Sequence, residues 1–193
     1  VTDRAKIMKS FKVPIIISDT AGYNRNTKLI GQLNILIEPG QYKLNIFAAD
    51  FNDTTKNVKI HQDLTIDFIT DNIPAASEIQ LATDIKTSND IKGLFYKNTL
   101  EVVPNPSRLY GNNITKLFYY IELYNLKKEL ITDEFFVNTL ITDLNGSELL
   151  TGSKKVKLKS ESRVEIGDFT ISSLKTGSYR LILQVLDDQK NKK

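Results

Sequence analysis

Gly40-Gln41-Tyr42-Lys43-Leu44-Asn45-Ile46-Phe47-Ala48-Ala49-Asp50 and Gly177-Ser178-Tyr179-Arg180-Leu181-Ile182-Leu183-Gln184-Val185-Leu186-Asp187 carry one pattern twice. In each, a glycine turns the chain into an alternating apolar strand, and an Asp closes it. Successive side chains of a strand point to opposite faces, so Tyr42, Leu44 and Ile46 share one side, as do Tyr179, Leu181 and Leu183. Every matched position is displaced by the same 137 residues, with no gap. Upstream, Lys28 to Ile37 falls opposite Val164 to Ser172 at nearly that offset. The competing explanation is coincidence between two ordinary strands.

Outward from this pair, period-two alternation recurs and helical periodicity hardly appears. Candidate strands are Lys12 to Ser18, Lys28 to Ile37, Gln41 to Ala49 and Asn57 to Phe68. After a break come Leu100 to Val103, Leu117 to Leu126, Glu134 to Thr142, Lys155 to Lys159, Val164 to Ile171 and Ser178 to Leu186. Turn signals separate them at Pro39-Gly40, Asn112-Asn113, Asn145-Gly146 and Thr176-Gly177. Many short strands rich in Ile, Val, Tyr, Phe and Thr predict an all-β chain of antiparallel sandwiches. The starting Tyr of each repeated strand resembles a tyrosine corner, whose hydroxyl bonds back to the chain. The reading is two tandem immunoglobulin-like or fibronectin-III-like domains, 1–75 and 76–193, the first of them incomplete. The stretch from Thr70 to Asn98 is weakest in pattern and reads as the junction. Within it, Ser77-Glu78-Ile79-Gln80 fits either a helix capping box or an extended strand with Ile79 and Leu81 inward, and extended structure is favoured.

Composition excludes more than the motifs establish. The 193 residues are 40% apolar and 25% charged, as expected of packed cores rather than disorder. No apolar run approaches the roughly 18 residues that cross a bilayer as a helix. Without cysteine there is no disulfide, thiolate metal site or Cys nucleophile, and a single His61 leaves no second imidazole for a multi-His centre. A net charge of +3 is too small a bias to argue for nucleic acid. Neither a Gly-x-Ser-x-Gly elbow nor a Gly-rich phosphate loop occurs. His61 lies in an alternating run and reads as a solvent-facing strand residue. The carboxylate pairs Asp187-Asp188 and Asp50-Phe51-Asn52-Asp53 follow the repeated strand and read as loop-shaping groups. Asp143-Leu144-Asn145-Gly146-Ser147-Glu148 spaces oxygen ligands like a calcium loop. However, its sixth and twelfth places hold Glu148 and Lys154, and Asn145-Gly146 predicts a type I′ hairpin instead. Lysines 155, 157 and 159 on one strand face suit an edge strand protected from sticky pairing, or else an anionic partner. These residues predict no catalytic group, no metal and no cofactor.

Two surfaces stand out. Along Leu117 to Tyr124, one face carries Leu117, Tyr119, Ile121 and Leu123 inward, and the other carries Phe118, Tyr120 and Tyr124, broken only by Glu122. Three aromatics on one face are costly to leave in water, at roughly 25 cal/mol per Å². This candidate interaction face is therefore expected to lie under the junction, the other domain or a partner chain. The second surface is Ser178, Arg180 and Ile182, read as an open edge strand. The second domain stops at that strand, whereas the first continues with Asn57 to Phe68. Hence the chain is read either as a fragment or as an assembly subunit that completes its sandwich by strand exchange.

Phe95-Tyr96-Lys97-Asn98-Thr99-Leu100-Glu101-Val102-Val103-Pro104-Asn105-Pro106-Ser107-Arg108-Leu109-Tyr110-Gly111 adds a resemblance. With Ser77 to Ala82 before it and Phe118 to Asn125 after it, this run resembles the β-rich region of bacterial GWxTD-domain-containing proteins. The likeness covers about two thirds of the chain, and Pro104-Asn105-Pro106-Ser107-Arg108 is its most specific part. The naming motif is absent, since the chain has no Trp. The resemblance implies an exported, extracytoplasmic bacterial protein and supplies no catalytic residue. The functional expectation is a non-enzymatic scaffold or protein-interaction module, whose partner is another protein or flanking domains. Membrane association would come only through flanking segments. A carbohydrate-binding module is the competing expectation, with Tyr but no Trp available for sugar stacking.

Overall fold

The computed structural model describes residues 30–70, 73–111, 113–128 and 134–187. Val1–Asn34 and Ile35–Lys193 are two compact units, and all regular structure described here belongs to the second. The expected strand Lys12 to Ser18 lies outside the described residues. Of Lys28 to Ile37, the described residues 30–37 form no strand, a departure from the alternation that residues 33–37 suggest. Its run from Leu33 to Ile37 ends at Pro39, which donates no backbone hydrogen bond.

β1 (Gly40–Ala49) and β2 (Asn57–Ile66) form an antiparallel hairpin in which Tyr42 faces Leu64 and Ile46 faces Ile60. Its loop is shaped by the expected acids. Asp50 Oδ1 accepts the Asn52 N–H at 2.9 Å, and Asp53 Oδ1 accepts the Thr55 hydroxyl at 2.5 Å. His61 is exposed on β2, with Nδ1 2.6 Å from Asn45 Oδ1. This hairpin is the described part of the expected first sandwich.

The remaining strands build two antiparallel sheets around a shared core. They are β3 (Ala75–Ala76), β4 (Gln80–Thr87), β5 (Tyr96–Lys97), β6 (Leu100–Pro104), β7 (Lys116–Tyr124), β8 (Glu134–Thr142), β9 (Glu148–Lys157), β10 (Arg163–Thr170) and β11 (Arg180–Leu186). One sheet runs β10-β7-β4-β6-β5, with β3 also on β7, and the other runs β11-β8-β9. β7 presents Leu117, Tyr119, Ile121 and Leu123 to the core, as its alternation predicts, and all four are buried. Phe135, Val137 and Ile141 of β8 meet them from the opposite sheet. The chain is all-β and antiparallel, arranged as a sandwich.

Three expectations need correction. The segment from Thr70 to Asn98 is not merely a junction, because β4 inside it is an inner strand between β7 and β6. Its pattern is weak because Ser77 breaks it: the Ser77 hydroxyl accepts the Glu122 N–H at 3.0 Å, and pairing resumes only at Gln80. Ile79 and Leu81 do point inward. The loop at Asn145-Gly146 is not a two-residue type I′ turn, which requires positive φ at both central residues. Only Gly146 adopts one (φ 90°), since the Asp143 carboxylate takes the N–H groups of Asn145 and Ser147 at 2.9 Å and holds a longer loop. Last, β9 starts at Glu148, well before the expected Lys155.

Candidate interaction site

The aromatic face of β7 is closed by the chain itself. Asn98, left-handed at φ 49°, and Lys97 turn the tight β5–β6 hairpin over Tyr120, which has no exposed surface. Asn98 Nδ2 donates to the Tyr120 hydroxyl at 2.5 Å, and that hydroxyl donates to Glu122 Oε1 at 2.7 Å. Tyr124 donates to Glu122 Oε2 at 2.6 Å, Lys97 Nζ lies 3.1 Å from Oε1, and the same ammonium sits 4.4 Å from the Tyr120 ring centroid. Glu122, read above only as a break among aromatics, is thus the acceptor that organises them. Burial alone pushes its carboxyl up, but the Tyr124 and Tyr120 hydroxyls and Lys97 outweigh that and hold it below its ordinary value. Burial and then the Glu122 carboxylate push Tyr120 well up and Tyr124 to about 12. Phe118 and Tyr124 are half-buried. Every polar tip here is engaged by another residue of the same chain, so the cluster locks one sheet.

The second group of residues defines a different site. Arg180 and Ile182 lie on β11, with Ser178 just before it, and β11 pairs only with β8 among the described strands. Arg180 and Ser178 are exposed, and Ile182 is 36% exposed. Beside β11 runs a seam facing β3 and β4. A cavity of about 790 Å³ is lined there by Ile79, Leu81, Tyr110, Tyr179 and Leu181. A second cavity of about 410 Å³ is lined by Ala76, Ile79, Leu123, Leu183 and Val185. Ile79 walls both, so they are consecutive stretches of one seam. The tyrosine corner anchors its upper end: the Tyr179 hydroxyl donates to the Lys175 carbonyl at 2.6 Å. Tyr42 repeats this four residues back, donating to the Glu38 carbonyl at 2.7 Å. Both rings are half-buried, and each folds back over its own glycine, 3.4 Å from the Cβ position of Gly40 and 3.5 Å from that of Gly177.

The opposite side of the sandwich is shut. Lys154 on β9 reaches Glu165 on β10, which is fully buried and also held by Arg163, while Lys154 Nζ donates to the Ile166 carbonyl at 3.3 Å. Sequence reasoning missed this link because Lys154 alternates with the lysines of the outer face; an acid between apolar Val164 and Ile166 was the available signal. β9 is itself an edge strand, and Lys155 pairs with Glu134 at 2.6 Å. The Pro104-Asn105-Pro106-Ser107-Arg108 run is a built turn. Buried Asn105 donates to the Leu109 carbonyl at 2.9 Å and accepts from Ser107 at 2.8 Å. Among the described residues, no three of His, Cys, Asp and Glu converge as metal ligands. No protein-family model, curated protein or solved structure matches the chain.

Proposed function

We propose that this chain is a non-enzymatic β-sandwich interaction module that takes an extended protein segment along the seam beside β11. The observation that carries the reading is the pairing of an edge strand that has no described neighbour on one side with an apolar cleft beneath it. An unpaired strand edge offers a row of N–H and C=O groups, and recognition by strand addition uses such a row for affinity and alternate side-chain pockets for specificity. The strand order supports an immunoglobulin-like or fibronectin-like assignment. β4, β7 and β10 take the places of strands A, B and E, β8 and β11 those of C and F, and the tyrosine corner stands at the start of F. In that architecture a last strand lies beside F, on the side where β11 has no described neighbour. The proposed domain boundary is 75/76, within β3. An exported bacterial setting rests on the resemblance to GWxTD-domain-containing proteins alone. The same edge favours one variant of the reading, an assembly subunit whose seam receives a strand from another copy.

The test is a library of linear peptides panned on the immobilised full chain, with a glycan array beside it. Enriched peptides should alternate apolar and polar residues, compete with one another, and slow hydrogen exchange of the β11 amides. The reading fails if no peptide is enriched, if bound peptides protect other strands only, or if the glycan array alone yields ligands.

A further inference from the structure

Given the interaction reading above, the internal repeat specifies the guest. β1 and β11 share residue pattern, offset and the tyrosine-to-carbonyl bond four residues back, so they are equivalent strands. β1 has a partner, β2, which follows it in the chain. β11's partner β8 precedes it, so β2 is not the counterpart of β8 and corresponds instead to the open side of β11. We infer that the seam binds an antiparallel strand of β2 type, in the register that β2 holds on β1.

That register makes a side-chain prescription. Leu64, Ile60 and Val58 of β2 face Tyr42, Ile46 and Ala48, with polar Gln62 opposite Leu44 between them; the β11 equivalents of these four are Tyr179, Leu183, Val185 and Leu181. Tyr179, Leu183 and Val185 line the seam, so the guest needs apolar residues at the three positions that face them, and the position facing Leu181 takes a polar residue. On the other face, Lys43 stands opposite Asp63, and the equivalent of Lys43 is Arg180. Arg180 is exposed, so an acidic guest residue at that position meets a cation. The guest is therefore an extended peptide with apolar residues at those three positions and one acid opposite Arg180. A guest with the opposite alternation would turn its apolar residues to water, since a one-residue slip inverts the faces.

The experiment titrates a fluorescent peptide of sequence Asn57–Ile66 into the full chain and maps protection by hydrogen exchange. Binding should slow exchange of the β11 amides, and the peptide change Ile60→Asp should weaken it at least tenfold. Arg180→Glu, at an exposed position that leaves the core intact, should weaken binding about fivefold, and the peptide change Asp63→Lys should restore it. If library peptides bind β11 but the Asn57–Ile66 peptide does not, this inference falls while the interaction reading stands. If neither binds, both fall. Binding without the Arg180–Asp63 charge coupling overturns the register, and a chain already paired through β11 with a second copy overturns the peptide guest.

Discussion

At the scale of single residues, Glu122 governs the outer face of the main sheet by accepting from Tyr120 and Tyr124. Hydrogen bonds to a charged group contribute about 1.5–3 kcal/mol, and removing the acceptor leaves buried hydroxyls unpaired. Glu122→Ala should therefore lower stability by about 2 kcal/mol in urea unfolding, and Lys97→Met by less. The pH dependence follows from the directions. Glu122 sits below its ordinary value of 4.5 in the fold, so its contribution is full above that value and lost as pH falls through the folded one. Tyr124 is raised to about 12 from 10.0, so its contribution is present below 10 and lost as pH climbs towards 12. Glu122→Ala should flatten the acid limb and let Tyr124 ionise earlier, which phenolate absorbance would register. Gly167 is the other decisive residue. It faces Tyr119 across the ladder, and a methyl there would overlap that tyrosine's ring and hydroxyl. Gly167→Ala should cost about 1–3 kcal/mol, seen as a drop in denaturation midpoint, unless Tyr119 is shortened at the same time.

At the scale of elements, the two tyrosine corners should behave alike. Tyr42→Phe and Tyr179→Phe each remove one side-chain-to-carbonyl bond, at a cost of about 1 kcal/mol measured by native-state hydrogen exchange. A loss in one strand only would separate the two as structural equivalents. How much of the architecture could be read from the chain is clearest in β7 and β4. The faces of β7 were legible because Leu117 to Leu123 alternate without interruption and both faces end up covered. β4 was obscured because Ser77 interrupts the strand before Gln80 and a bulge lies between Ala82 and Asp84. Register breaks of this kind erase a period-two signal while leaving the sheet continuous. Among the described strands β11 pairs only with β8, and an edge at Ser178, Arg180 and Ile182 was expected from strand counting. The seam beneath it was not, since it is lined by residues from distant segments that only the topology brings together.

At the scale of the whole molecule, the sandwich is closed along β9 and β10 by Lys154 and Glu165 and, among the described residues, open along β11. Glu165 has no route to water, whereas Lys154 and Arg163 are 43% and 36% exposed. Removing either partner therefore has unequal effects. Lys154→Met leaves a buried carboxylate with Arg163 alone and should destabilise by about 3 kcal/mol. Glu165→Leu frees two cations that can turn outward and should change stability by less than about 1 kcal/mol, a contrast that thermal unfolding of the two variants resolves. The open side has an optical consequence. The chain holds no tryptophan, so its near-ultraviolet emission comes from tyrosine. Tyr110 and Tyr179 stand in the wall of the larger cavity, both donating to backbone carbonyls, while the Tyr120 hydroxyl donates a hydrogen bond to a carboxylate that quenches the ring. A guest that expels water from the cleft changes the light from the first two and leaves the third dark, so the molecule reports its own occupancy without a label.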